Sequence, residues 1–145
     1  MVIRARTLVP ILVTVVLATL GAGLANSQIT NPIRAHIDHS FIIGNTTLPA
    51  GDYTFRMLQD SDLSVMTASS ENDKVTVDFP VRQAQLDHTP RHSQLIFRRY
   101  GNVEFLSKVF ESGSKTGAEL TETGRREERL VKQGQHGTEH AEEQK

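Results

Sequence analysis

Apolar and polar residues alternate with a period of two from Ile33 to Phe110, the pattern of strands that bury one face. Ile33, Ala35 and Ile37 alternate with Arg34, His36 and Asp38, and the apolar run Phe41-Ile42-Ile43 follows. Gly44-Asn45 and Leu48-Pro49-Ala50-Gly51 mark turns; Pro49 in the second position and Gly51 in the fourth suit a type I turn. Tyr53, Phe55 and Met57 alternate with Thr54 and Arg56. Gln59 to Asp62 break the pattern, and Leu63 and Val65 begin a strand that runs to about Ala68. After the turn formers Ser69 to Asp73, Val75, Val77, Phe79 and Val81 alternate with Thr76 and Asp78. Pro80 lies inside this strand. Proline donates nothing to a ladder, so the strand is expected at a sheet edge or bulged there. Asp87 to Ser93 form a loop around Pro90, and two strands remain, Gln94 to Tyr100 and Val103 to Phe110.

Gly101-Asn102 joins those last two strands. Glycine first in a two-residue loop suits a type II′ turn, which sets Tyr100 opposite Val103, Arg99 opposite Glu104, Arg98 opposite Phe105 and Phe97 opposite Leu106. Arg99 and Glu104 are then an expected cross-strand ion pair. One face of the hairpin would carry Ile96, Tyr100, Val103, Phe105 and Val109, and the other Leu95, Phe97 and Leu106. A hairpin apolar on both faces calls for cover on both: the core on one side, and the C-terminal helix or a partner on the other.

About six short strands joined in sequence by short turns predict an all-β fold, a small antiparallel β-sandwich or barrel. No alternation of helices with strands is visible, which excludes a doubly wound sheet. The six Phe and two Tyr all lie between Phe41 and Phe110, so the core is expected to end near Phe110. The organisation read from the chain is a β-domain over 28–111, a Gly/Ser linker over 112–118, a charged helix over 119–133 and a disordered polar tail over 134–145. Thr121 or Thr123 could cap the helix, and Gly134 could end it.

Residues 1–27 read as a signal peptide. Arg4 and Arg6 precede an apolar stretch from Leu8 to Leu20, and small residues follow at Gly21, Ala22, Gly23, Ala25 and Ser27. Cleavage fits after Ala25 or after Ser27, the second leaving Gln28 first. The competing reading is an uncleaved anchor, because Thr7 to Ala25 approaches the roughly 20 residues that span a bilayer; the small residues at its far end favour a peptidase. No Arg-Arg pair precedes the apolar stretch, and no cysteine follows it. This predicts the general secretory route and a periplasmic or extracellular protein, in contact with the membrane only transiently unless the signal stays uncleaved.

Charge and composition narrow the chemistry. The formal net charge is −1, and loss of Arg4 and Arg6 makes the exported chain more acidic, the wrong sign for nucleic acid. With no cysteine, disulfides, thiol catalysis and thiolate metal sites are excluded. The six histidines do not pair readily. His36 and His39, three apart on a strand, point to opposite faces. His88 and His92 flank Pro90. His136 and His140 have helical spacing but lie in the polar tail, where Glu139, Glu142 and Glu143 could add oxygen ligands weakly. Asp38, Asp78 and Glu104 read as solvated strand carboxylates. No G-x-S-x-G elbow is present, and the glycine-rich stretch Glu111 to Gly117 lacks the spacing of a phosphate loop. The chain is therefore read as a non-enzyme with no assigned catalytic, cofactor or metal residue and no cofactor.

Two segments carry a resemblance. Phe41 to Phe55, Phe-Ile-Ile-Gly-Asn-Thr-Thr-Leu-Pro-Ala-Gly-Asp-Tyr-Thr-Phe, resembles an F-x-V-G…L-P-A-G-x-Y signature. Leu95 to Leu106, Leu-Ile-Phe-Arg-Arg-Tyr-Gly-Asn-Val-Glu-Phe-Leu, resembles an L-x-F-x-R-Y-G-x-x-x-F-L segment. Both are similar to a family of small exported β-domain proteins common in acidobacteria, with Asp38-His39 departing from a Pro-Phe-like pair. The resemblance implies export and an all-β fold and transfers no catalytic residue. The function expected from all of this is an exported binding or interaction module, its partner a protein or another component of the cell envelope or exterior. A structural subunit of a surface assembly is the alternative, and a small hydrolase with an unrecognised site the next.

Overall fold

The computed structural model describes residues 29–58 and 64–145. The expected signal peptide and the break at Gln59 to Asp62 lie outside the described residues. The described chain is mostly strand: β1 (Ile33–Ile37), β2 (Phe41–Ile43), β3 (Thr46–Leu48), β4 (Gly51–Leu58), β5 (Val65–Ser70), β6 (Thr76–Gln85), β7 (Ser93–Tyr100), β8 (Val103–Phe110), β9 (Thr116–Leu120) and β10 (Thr138–Gln144), with one helix, α1 (Arg125–Lys132), between β9 and β10. All ten strands belong to one open sheet, so the expected six is too few. Its order is β1-β4-β5-β6-β9-β8-β2-β3, with β7 on the other side of β8 and β10 outside β7. Every pairing is antiparallel except the contact of β2 with β8 at Ile42 and Phe105.

The sheet curls around one core supplied by every strand from β1 to β9. Phe41, Phe55, Phe97, Ile37, Ile43, Leu48, Met66, Leu95 and Val109 are fully enclosed within it. Period-two alternation reads out directly: in β1, Ile33, Ala35 and Ile37 are buried while Arg34 and His36 are exposed. The two turn glycines do what their positions require. Gly44 (φ 58) and Gly101 (φ 61) take a conformation open to glycine at the first position of two-residue loops.

The register of the last hairpin follows the turn from Tyr100–Val103 to Phe97–Leu106, then shifts. Beyond a bulge at Ile96/Phe97, Ile96 faces Lys108 and Leu95 faces Val109. The extra residue reverses the faces that follow, so Val109 joins Leu95 and Phe97 in the core instead of the outer face. Pro80 is likewise not at a sheet edge. β6 pairs with β5 from Thr76 to Pro80 and with β9 from Val81 to Gln85. Proline sits where the strand passes from one partner to the other, and its carbonyl accepts the Thr121 N–H.

The C-terminal third departs most from expectation. Residues read as linker and helix start form β9, which binds β6 and β8. The helix begins only at Arg125. Gly124 offers it no side-chain cap; Asn45 Oδ1, from the β2–β3 loop, accepts the Arg125 N–H at 2.8 Å instead. Gly134 (φ 80) ends it as expected. Leu130 of α1 packs with Ile42, Tyr100 and Phe105 in a second apolar cluster, so the helix supplies the outer cover that the hairpin calls for. The residues expected as a disordered tail contain β10, antiparallel to β7 from Thr138–Arg99 to Gln144–Ser93. This strand lacks apolar anchors. It is held by its ladder and by ions: Glu139 accepts from Arg98 Nη2 at 3.2 Å, Ser107 Oγ at 3.2 Å and Lys108 Nζ at 3.1 Å.

Candidate functional site

Alternation in β10 divides its side chains between two faces. Glu139, Ala141 and Glu143 are exposed, while His140, Glu142 and Gln144 are half-buried. The pairing of His140 with Phe97 and of Glu142 with Leu95 places the half-buried set on the face of the main core. Glu104 of β8 is on that face as well, opposite Arg99. The β1–β2 connection brings Asp38 and His39 to the same end of the core. His39 lies beyond the end of β1, so the strand geometry that would set it opposite His36 does not apply.

Four of these side chains converge. His39 Nε2 lies 2.6 Å from Glu142 Oε1. His140 Nε2 is 3.4 Å from the same oxygen and 3.6 Å from Glu104 Oε2. The ligand atoms of Asp38, His39 and Glu142 all fall within 4.8 Å of one another. Phe97 walls the cluster from the core, edge-on to His39 and stacked on His140, with ring centroids 5.1 and 6.0 Å away.

Two atoms in this cluster are buried without a hydrogen-bond partner, Glu104 Oε2 and His140 Nε2. The Glu104 side chain is only 6% exposed, and Arg99 Nε donates to its other oxygen, Oε1. The expected Arg99–Glu104 pair is present, yet Glu104 is not a solvated strand carboxylate. His39 is oriented by its second nitrogen, Nδ1, which lies 3.1 Å from the Ser40 carbonyl oxygen. Burial by itself would depress the His39 pKa. The bonds to Glu142 and Ser40 and the charges of Glu142 and Glu104 outweigh burial and hold it above the ordinary histidine value.

The outer face of the same hairpin carries a second polar network. Buried Glu127 of α1 accepts from Arg98 Nη1 at 2.8 Å and from the Tyr100 hydroxyl at 3.1 Å. Burial pushes the Glu139 carboxyl up, but Lys108 and Arg98 together bring it below the usual carboxylate range. None of the side-chain polar atoms in this network is buried without a partner, so it reads as a clamp that holds α1 and β10 on the hairpin.

The remaining residues weighed from sequence lie elsewhere. Exposed His36 pairs with Asp52 at 2.7 Å. His88, His92 and His136 are exposed. Asp78 accepts from Thr67 Oγ1. Glu111 accepts the Thr30 N–H and so ties down the start of the described chain. The glycine-rich stretch Glu111 to Gly117 is tied to the loop around Pro90, with the Gly113 N–H donating to the Pro90 carbonyl. An open groove beside β1, lined by Arg34, His36, Asp52, Glu71 and Gln144, mixes both charges. That Glu104 meets His140 is not legible in the sequence, because the two are 36 residues apart in a chain whose tail has no apolar signal. The one trace is the alternation of His140, Glu142 and Gln144. No family model, curated protein or solved structure matches the chain.

Proposed function

We propose that this chain is an exported, non-enzymatic binding module of the cell envelope or exterior, a sandwich- or barrel-like β-shell that presents one polar binding site. The observation that supports this reading is the convergence of His39, His140, Glu142 and Glu104 with two buried polar atoms left unpartnered. A buried carboxylate oxygen without a partner is costly to keep, and such groups are retained at sites that engage something else. The cluster consists of imidazoles and carboxylates, groups that bind ions and donors. The signal pattern of residues 1–27 supports export. An assembly role through strand edges has weaker support, because β3, at one end of the sheet path, is only three residues long and β10, at another edge, carries Glu139, Glu142 and Glu143, and short or charged edges resist strand addition.

Two measurements test the proposal. Mass spectrometry of the protein recovered from the cell exterior or periplasm is expected to show a start at Asn26 or Gln28; an intact Met1 contradicts export. Immobilised wild-type protein and a Glu142→Gln variant are then exposed to envelope extract. A component retained by the wild type and released by the variant is the expected result. Equal retention by both, or none by either, contradicts the binding site.

A further inference from the structure

The ligand class can be read from the same cluster, and this inference rests on its being a binding site. We infer that His39, His140, Glu142 and Glu104 form a site for one divalent transition-metal ion of the zinc type, with Asp38 at its rim.

Donor chemistry sets the class. Two imidazoles and two carboxylates suit zinc and its neighbours, whereas magnesium and calcium prefer oxygen alone. Geometry agrees. A tetrahedral ion with ligands at about 2.0–2.1 Å separates its donor atoms by about 3.3 Å. His140 Nε2 already stands 3.4 Å from Glu142 Oε1 and 3.6 Å from Glu104 Oε2, and Asp38, His39 and Glu142 offer ligand atoms within 4.8 Å of one another, so the two groups meet at Glu142. The His39–Glu142 contact, 2.6 Å across, is a hydrogen bond that must open by less than 1 Å to admit the ion, within reach of side-chain rotation.

The surroundings resemble those that hold metal ligands in place. Nδ1 of His39 faces the Ser40 carbonyl, which leaves Nε2 as the coordinating nitrogen; a carbonyl or carboxylate behind a ligating imidazole is the usual second sphere. Arg99 holds Glu104 Oε1 and turns Oε2 toward His140. Charge also balances: Glu104, Glu142 and Asp38 at the rim carry three negative charges, against the two of the ion and the one of Arg99, with both imidazoles neutral. The ion would supply the missing partner of both orphaned atoms at once.

Because β10 provides two of the four donors and the β1–β2 connection a third, the ion would cross-link the C-terminal strand to the first part of the domain. The test is isothermal titration of the purified, chelator-stripped protein with zinc chloride alone, beside magnesium and calcium chloride. The expected result is one zinc per chain and no heat from the other two ions. His39→Ala combined with His140→Ala is expected to weaken zinc at least about 100-fold, the upper end of what even second-sphere losses cost. Glu142→Gln, which preserves side-chain shape, serves as the second variant if the double one does not fold. A combined His36, His88, His92 and His136→Ala protein should bind as the wild type does. Absence of zinc binding overturns the inference, as does binding that survives in the cluster variants and disappears from the exposed-histidine variant. If zinc fails while an envelope component is still retained in a Glu142-dependent way, the metal inference falls and the wider binding reading stands.

Discussion

Phe97 is fully buried and serves both the core and the polar cluster. Its ring meets Phe41 edge-on at 5.8 Å, and His39 and His140 lie on its remaining sides. Phe97→Ala is expected to cost about 3–5 kcal/mol, the transfer term plus the cavity, read as a lower urea midpoint at unchanged slope. Val131→Ala, at a position 53% exposed on α1, should change stability by no more than about 0.5 kcal/mol. The two tyrosines give a pH prediction. Burial raises the pKa of Tyr53; burial, followed by the charge and hydrogen bond of Glu127, raises that of Tyr100. A phenol with a raised folded value adds stability that is fully present below its unfolded pKa of about 10 and is lost as pH climbs through the folded value. The melting temperature should therefore carry no tyrosine contribution to its slope at neutral pH and should fall above about pH 10. Absorbance at alkaline pH should show both phenols ionising late, and ionisation at the free-tyrosine value would contradict the burial of both.

At the scale of elements, the decisive feature is how α1 and β10 attach to the β7–β8 hairpin. Few apolar groups take part. The helix contributes Leu130 to the outer cluster and Glu127 to Arg98 and Tyr100. Glu127→Ala leaves the Arg98 guanidinium and the buried phenol each short of an acceptor, and a lost partner of this kind costs about 1–3 kcal/mol. Urea unfolding should show that loss, and Glu128→Ala, one residue on at an exposed position, should not. This dependence on polar contacts explains which elements the sequence discloses. Strands β1 and β4 to β8 announce themselves because alternating Ile, Val, Phe and Tyr must face a core. The Gly101-Asn102 turn fixes the first four pairs of the hairpin, but nothing local forecasts the bulge that moves Val109 inward. β9 and β10 are built mainly of Gly, Ala, Thr, Glu, Gln and His, with Leu120 their one large apolar residue. Their strand state comes from partners distant in sequence, and composition alone gives them the look of a linker and a tail. The candidate site shares that origin. His39 and Glu104 each have an ordinary local reading, and only the return of β10 to β7 sets His140 and Glu142 beside them.

For the whole molecule, the open sheet holds together without disulfides because nine strands supply one aromatic and aliphatic core. Two of its edge strands, β1 and β10, come near each other where the His36 N–H donates to Gln144 Oε1 at 2.9 Å, but they form no backbone ladder. Among the described residues no helix is long and apolar enough to cross a membrane. Fold and site both depend on β10, since without it the site loses two of its four converging side chains and Arg98 loses one of its two carboxylates. Amide hydrogen exchange across residues 138–144 tests this most directly. The β10 amides that face β7 are expected to exchange far more slowly than those of an unstructured peptide, with protection comparable to that of neighbouring strands. Exchange of the whole segment at free-peptide rates, with β7 and β8 still protected, would show that the strand is not part of the fold and that the site it completes does not form.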